Sequence, residues 1–126
     1  MSYPANLKYT KSHEWILFSD EKTAKIGLTE FAQSSLGSMV FVSLPQEGDA
    51  TVAGESIGDV ESVKAVSDVI SPLSGVVTAV NTELLDSPGN INEDPYGSWL
   101  VEVSEISAQE ALLDAAAYEA FCQEEE

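Results

Sequence analysis

The sequence has no arginine and five lysines, against 22 aspartates and glutamates, and carries a formal net charge of −17 over 126 residues. A nucleic-acid-binding protein needs a basic surface to contact phosphates, and an anionic membrane surface repels an acidic protein. The shortage of positive charge therefore argues against both as partners. The acidity instead favours steering towards basic docking sites on larger proteins.

The chain is also poor in residues that bind metals or act as nucleophiles. It has a single cysteine, Cys122, so it can form neither an intramolecular disulfide nor a cysteine-rich metal cluster. The single histidine, His13, cannot build a metal site alone, and no nucleophile stands beside it in a recognisable motif. We therefore predict no metal site and no catalytic residues, with a structural or hydrogen-bonding role for His13. Any redox chemistry would need a group attached to the chain.

No apolar run is long enough to cross a bilayer, although 44% of the residues are hydrophobic, which is ordinary for a globular protein. Residues 1–15 lack the apolar core of a secretory signal and the arginine-rich pattern of an organellar presequence. We predict a bacterial-type cytoplasmic protein, with a mature mitochondrial matrix protein as the less favoured alternative. A chain of this length predicts one domain over residues 1–126.

The hydrophobic pattern predicts a mainly β protein with two helices. A short helix is expected over 29–36, with Thr29 as its N-cap and Gly37 as its stop. Ser107 and Glu110 match a capping box and are followed by apolar residues at helical spacing, which predicts a C-terminal helix over 107–122. The remaining segments favour a small sandwich or flattened barrel. Strands are expected within 22–29, 39–44, 51–80 and 99–103. A long loop with one helical turn is expected over 81–98.

One lysine is isolated from the others. Four of the five lysines lie in residues 1–25, whereas residues 26–126 contain 19 of the 22 acidic residues and one basic residue, Lys64. Residues 61–68 join two extended segments, so Lys64 is expected at the bend of a β-hairpin. Its neighbours Val63 and Ala65 are not turn-forming residues, and sites that break a local rule are often functional.

Most lysines in hairpins are solvated charges that discourage edge pairing. The isolation and position of Lys64 instead favour covalent attachment of a group. Lysine suits this role because its amine forms a stable amide and its four-carbon stem lengthens the tether.

Several motifs in order resemble one known family. Glu61-Ser-Val-Lys-Ala65, followed by Ser71-Pro-Leu-Ser-Gly75, resembles the lysine segment of the biotinyl and lipoyl carriers. More narrowly, nearly the whole chain is similar to the H-protein family of the glycine cleavage system. The other motifs that carry this resemblance are Lys8-Tyr-Thr-Lys-Ser-His-Glu-Trp15, Ile26-Gly-Leu-Thr-Glu-Phe-Ala-Gln33, Val40-Phe-Val-Ser-Leu-Pro45, Asn92-Glu-Asp-Pro-Tyr-Gly97 and Leu112-Leu-Asp114 with Tyr118. The segment Gly97-Ser98-Trp99 is shorter than is usual in the family, which affects the local loop geometry.

The resemblance implies a barrel-sandwich hybrid fold and lipoic acid in amide linkage to Lys64, as N6-lipoyllysine. It implies a non-catalytic carrier that receives an aminomethyl group from a pyridoxal-phosphate glycine decarboxylase and passes it to a tetrahydrofolate-dependent aminomethyltransferase. Dihydrolipoamide dehydrogenase would then reoxidise the arm, and a lipoate-attaching enzyme would load it. The carrier itself is expected to be a monomer that raises the effective concentration of one intermediate at successive sites.

The resemblance also implies a cleft that shelters the loaded arm. The aminomethylated arm is a labile cation, so a useful cleft excludes water and supplies negative charge. Ser12, Glu14 and Asp68 match the family positions that line this cleft. We expect Glu14 and Asp68 to pair with the amine and Ser12 to form a hydrogen bond with it.

Two other carrier functions remain open on the sequence. A biotinyl carrier would use a similar hairpin, but such carriers usually flank the lysine with methionine, and here the neighbours are Val63 and Ala65. A relay protein that donates lipoyl or octanoyl groups to other lipoyl domains is a further possibility. An independent enzyme is least favoured, because no nucleophile–base pair can be assembled.

Overall fold

The structure, a computed structural model, describes residues 2–125. Nine strands and four helices form within this range. In chain order they are β1 (Lys8–Tyr9), β2 (Glu14–Asp20), β3 (Thr23–Leu28), α1 (Glu30–Leu36), β4 (Met39–Ser43), β5 (Ala50–Thr51), β6 (Ser56–Ser62), β7 (Val66–Ile70), β8 (Leu73–Val80), α2 (Glu83–Asp86), α3 (Asn90–Glu93), β9 (Val101–Gln109) and α4 (Ala115–Glu125).

The strands form two antiparallel sheets that share one core. The larger sheet has the order β1-β2-β3-β9-β8-β5, and the smaller has the order β4-β6-β7. Alternate side chains of each strand face inwards, so both sheets contribute to the same buried cluster. Its members from the larger sheet include Ile16, Ile26 and Val103, and those from the smaller sheet include Val42, Val60 and Val69. The predicted mainly β, barrel-sandwich fold is confirmed.

A second apolar cluster attaches α4 to the outside of the larger sheet. The rings of Tyr9 and Tyr118 stack with centroids 4.6 Å apart, and Cys122 is buried beside them. Trp15 belongs to this cluster and covers Gly27, its cross-strand partner. A Cβ at Gly27 would lie 2.4 Å from the indole ring, so glycine is required for the indole to lie this close.

The short helix predicted over 29–36 is confirmed, with α1 running from Glu30 to Leu36. The Thr29 side chain accepts a hydrogen bond from the Ala32 amide, as expected of an N-cap. Gly37 ends the helix with φ 86°, and its amide donates to the Gln33 carbonyl. A left-handed backbone at the end of a helix favours glycine, which explains this stop.

The C-terminal helix exists, but its predicted start at Ser107 is wrong. β9 continues to Gln109 because it pairs with β8, with Leu73 opposite Gln109, and helix α4 begins at Ala115. The amide of Ala117 donates to the Asp114 carboxylate, so Asp114 rather than Ser107 caps the helix. The local capping-box pattern was overridden by strand pairing, which buries Ile106 in the core.

Two smaller corrections concern the preceding segment. The loop predicted over 81–98 contains two short helices, α2 and α3, where one helical turn was expected, and the strand predicted at 99–103 starts at Val101. None of the helices in residues 2–125 is long and apolar enough to span a bilayer.

Candidate functional site

Lys64 lies in the bend between β6 and β7, so the predicted lysine-bearing hairpin is confirmed. The bend is closed by a backbone hydrogen bond from the Ser62 amide to the Ala65 carbonyl, 2.8 Å long. The Ser62 side-chain oxygen accepts from the amides of Lys64 and Ala65, both at 3.1 Å. Serine hydroxyls form such local turns. Ser62 therefore supplies the turn chemistry that Val63 and Ala65 lack.

The hairpin is fixed against the end of helix α1. The Val63 amide donates to the Ser38 carbonyl at 3.0 Å, and the Lys64 stem passes close to Gly37, where a Cβ would lie 3.6 Å from Lys64 Cε. Asn92 of α3 holds this junction by donating to the Gly37 carbonyl and accepting from the Met39 amide, each at 2.8 Å. The base of the hairpin is therefore rigid, whereas the Lys64 side chain is exposed.

A cavity of about 160 Å³ lies between α1, the loop that precedes β2, and the edge strand β7. Two of the three predicted cleft residues, Ser12 and Asp68, line it. Asp68 is exposed, and the other walls are partly apolar. The lining residues are Ser12, His13, Leu28, Ala32, Ser35, Leu36, Ser67 and Asp68.

Glu14, the third predicted cleft residue, lies behind the cavity wall rather than in it. Its side chain is 1% exposed, and its carboxylate accepts hydrogen bonds from Thr10 Oγ1 at 2.7 Å and Ser12 Oγ at 2.5 Å. Its other oxygen accepts from the Ile70 amide at 3.3 Å. Glu14 therefore meets this cavity through Ser12, and the expectation that it pairs with the amine of the arm stays a prediction.

The proton affinity of Glu14 follows from this burial. No lysine or histidine within residues 2–125 forms an ion pair with it. Desolvation raises the pKa of the Glu14 carboxyl from its ordinary 4.5 to about 7, although the hydrogen bonds from Ser12, Thr10 and Ile70 oppose the shift. At neutral pH this carboxyl is poised to gain or lose a proton, as functional carboxyls often are.

His13 forms part of the cavity wall and connects it to α4. Its Nδ1 lies 2.7 Å from Tyr118 Oη, and its Nε2 lies 2.8 Å from Glu125. The imidazole stacks on Phe31 of α1 with centroids 4.6 Å apart. The backbone of His13 is left-handed, with φ 72°, a conformation that is costly outside glycine. These contacts agree with the predicted structural role for His13.

Replacing Tyr118 by phenylalanine is expected to destabilise the protein by about 1–3 kcal/mol. Tyr118 Oη lies 2.7 Å from Thr29 Oγ1 as well as from His13 Nδ1, so its loss removes one hydrogen-bond partner from each of these two side chains. Urea denaturation measures the change. Glu125→Gln is the matched control, because it alters the half-exposed end of the same network and should shift stability by less than about 1 kcal/mol. Equal effects of the two variants would contradict the central role of Tyr118.

A larger, more open groove of about 600 Å³ adjoins the cavity and shares Ser12 with it. It is lined by Thr10, Lys11, Ser12, Ile70, Glu110, Ala111 and Leu113. Three of these residues, Thr10, Ser12 and Ile70, are the hydrogen-bond partners of Glu14. Asp68 does not line the groove, and Ile70 is farther along β7 from Lys64 than Asp68 is. Its size alone does not make it the site.

Two residues of this site were not singled out on the sequence, although both lay within recognised motifs. Ser62 holds the hairpin through the amides of Lys64 and Ala65, and Asn92 holds its base through the Gly37 carbonyl and the Met39 amide. Polar residues inside a motif are the sequence signal for such roles. Within residues 2–125, no group of three or more metal-ligating side chains comes together.

Two small antiparallel sheets that present a lysine at a hairpin bend define the barrel-sandwich class of carrier domains. The sequence profile described as "Glycine cleavage H-protein" matches residues 7–125. The chain therefore belongs to the glycine cleavage H-protein family.

Individual relatives agree with this family. The chain is 56% identical over 120 residues to a "Glycine cleavage system H protein" of Lachnoclostridium phytofermentans, covering 95% of this chain and 94% of the relative. It is 53% identical over 127 residues to the protein of the same name in Acidobacterium capsulatum, with coverage of 99% and 98%. The crystal structure of a glycine cleavage system H protein from Mycobacterium marinum superposes with a TM-score of 0.87 at 42% identity, covering 93% of this chain and 96% of that one.

Proposed function

We propose that this protein is the lipoyl-bearing carrier of a glycine cleavage system, with lipoic acid attached to Lys64 through an amide bond. The observation that carries the proposal is the position of Lys64: an exposed lysine at the tip of a fixed hairpin, at the end of the strand whose edge lines the cavity. Lipoic acid supplies a redox-active dithiolane, which the single buried Cys122 does not provide. Residues 1–126 act as one carrier domain.

The length of the arm favours the cavity over the larger groove as its resting place. From the Lys64 Cα to the dithiolane sulfurs, an extended lipoyl-lysine spans about 14 Å. Strand residues advance by about 3.3 Å each, so Asp68 lies at most about 13 Å along the chain from Lys64, and Ile70 at about 20 Å. The arm therefore reaches the space beside Asp68 and Ser12 but falls short of the far end of the groove.

The charges around the cavity suit a cationic aminomethyl group. Asp68 presents a carboxylate at the rim, and Ser12 presents a hydroxyl backed by Glu14. A cation that approaches Ser12 favours the ionised form of Glu14, because an opposite charge lowers a carboxyl pKa. Glu14 thus acts through Ser12, as a buried counter-charge.

The family supports a defined set of partners. These are a pyridoxal-phosphate glycine decarboxylase, a tetrahydrofolate-dependent aminomethyltransferase, dihydrolipoamide dehydrogenase and a lipoate-attaching enzyme. The carrier is non-catalytic and works as a monomer. The bacterial relatives support a cytoplasmic location.

Reconstitution with those partners tests the function. The lipoylated protein should support glycine-dependent release of carbon dioxide by the decarboxylase and accumulate the aminomethyl group on its arm, seen by intact mass spectrometry. The unmodified protein should support neither. Lipoylated protein that is never aminomethylated would defeat the proposal.

Asp68→Asn is expected to shorten the half-life of the aminomethylated arm by roughly two- to fivefold, because one partly solvated carboxylate is lost from the rim of the cavity. Intact mass spectrometry over time measures the decay. Asp59→Asn is the matched control, since Asp59 lies directly opposite Asp68 in the β6–β7 register but does not line the cavity. Either change relieves the same like-charge pair, so equal decay rates in the two variants would assign the effect to strand pairing instead.

A further inference from the structure

Exposed apolar side chains concentrate around the lysine hairpin. Seven large hydrophobic residues of the described chain are exposed, and four of them lie at this end of the smaller sheet. We call these four the hairpin patch: Val40 (51% exposed), Phe41 (57%), Val63 (68%) and Val66 (65%). Isolated exposed hydrophobic residues are normal, but clusters of them mark interaction sites.

The sheet register places part of the patch in a single row. Phe41 pairs with Glu61, and Glu61 pairs with Val66, across β4, β6 and β7. Val42 and Val60, one position farther along, are buried in the core. Because side chains alternate along a strand, the row Phe41–Glu61–Val66 faces outwards. This row lies immediately behind the bend that carries Lys64.

We propose that the hairpin patch is the recognition surface for the enzyme that acylates Lys64, and this inference rests on the proposed function. In that reaction the neutral Lys64 amine attacks the carbonyl carbon of an activated acyl donor, an acyl-phosphate anhydride or a thioester. The amide bond forms, the leaving group departs with its electron pair, and the nitrogen loses a proton. The donor is held by the acylating enzyme.

The distance from the Lys64 Cα to the reacting atom distinguishes this enzyme from the other partners. The bare lysine stem extends about 6 Å from its Cα, so an enzyme that acts on the amine must cover the residues next to the bend. Enzymes that act on the dithiolane meet it about 14 Å away and can keep clear of the hairpin. The acylating enzyme is therefore the partner that contacts the surface next to Lys64 most closely.

Charge defines the complementary surface. Glu61 lies between Phe41 and Val66, and Asp59 lies opposite Asp68 two positions farther along the sheet. Lys64 is the one basic residue in residues 26–126. The fitting partner presents an apolar surface flanked by basic side chains, with an opening that admits one lysine.

Acylation kinetics test this surface. The Phe41→Thr/Val66→Thr double variant keeps strand-forming residues while removing apolar area, so the fold is retained. Its KM as acceptor for a lipoate-attaching enzyme should rise about tenfold, with kcat unchanged, as judged by intact mass. Val52→Thr is the matched control because Val52 is 49% exposed, lies outside the patch and should leave KM unaltered.

A second measurement separates the partners. The double variant, loaded to completion with excess enzyme, should serve the glycine decarboxylase with a KM within about twofold of the wild type. An unchanged acylation KM, or an equal rise for the decarboxylase, would overturn the assignment of the patch. If the wild-type protein itself took up no lipoyl group, the proposed function would be overturned instead. The wild type alone therefore tests the proposed function.

Discussion

Lys64→Arg is expected to remove lipoylation completely and, with it, all activity in glycine decarboxylation. A guanidinium keeps the positive charge and the length of the side chain but remains protonated in proteins, so it cannot serve as the nucleophile for amide formation. Protein produced with lipoate available should carry the lipoyl mass increment in the wild type and none in the variant. The fold should be unaffected, since Lys64 is exposed and forms no ion pair within residues 2–125.

Lys22→Arg provides the control for this loss. Lys22 is also a lysine at a bend between two strands, β2 and β3, but it donates to the Ile106 carbonyl at 3.3 Å and lies at the larger sheet. Its replacement should leave the mass increment intact. A lipoyl increment that persists in Lys64→Arg, or a biotin increment in the wild type, would contradict the assignment.

Glu14→Gln is expected to stabilise the protein at alkaline pH by about 3 kcal/mol while weakening protection of the loaded arm. The pKa of Glu14 is raised from 4.5 to about 7 by burial, so the folded state retains its proton at pH values where the unfolded chain has already lost it. The stability that the proton provides is fully present below pH 4.5 and is lost as the pH rises through about 7. Glutamine cannot ionise and should escape that loss.

The site can accept the glutamine amide. Its NH₂ group can donate to the oxygens of Thr10 and Ser12, and its carbonyl can accept from the Ile70 amide in place of the present carboxylate oxygen. Each hydrogen bond keeps a donor and an acceptor, because hydroxyl groups serve as either. The substitution therefore tests charge rather than packing.

Urea unfolding at pH 4.5 and pH 8 checks this prediction. The variant should match the wild type to within about 1 kcal/mol at the lower pH and exceed it at the higher. Glu61→Gln, at an exposed carboxylate, should show no comparable gain between the two pH values. The same stability difference for Glu14→Gln at both pH values would contradict the proposed ionisation.

These expected effects of Glu14→Gln oppose one another. A buried carboxylate costs folding free energy at the pH where it is charged, and a cationic arm benefits from that charge. If Glu14→Gln stabilised the protein without shortening the half-life of the aminomethylated arm, Glu14 would have no part in protecting the arm. Functional carboxyls in binding sites commonly lower the folding stability of the protein.

Features with a local cause could be predicted from the sequence. Thr29 and Gly37 fix the ends of α1 through hydrogen bonds and dihedral angles that depend on neighbouring residues. The charge isolation of Lys64 is a property of composition and needs no structure. The extended segments on either side of residues 61–68 likewise located the hairpin, because a strand pattern acts over a few residues.

The C-terminal segment shows where local reasoning failed. Ser107 and Glu110 carry a helix-start pattern, yet the chain gains more by extending β9 against β8 and burying Ile106. A capping box contributes about 1 kcal/mol, whereas the extra ladder adds several hydrogen bonds and the burial of a large side chain. The helix begins after this pairing ends.

The sequence by itself determined the family, the β-rich class and the single conspicuous lysine, because motifs, alternation and charge are linear properties of the chain. Only the tertiary structure decided that Ser12 and Asp68 share a cavity while Glu14 lies buried behind Ser12. It also placed Phe41 and Val66 in one row beside Lys64. Burial and strand register arise from residues far apart in the chain, and for that reason the raised pKa of Glu14 and the hairpin patch have no local signature.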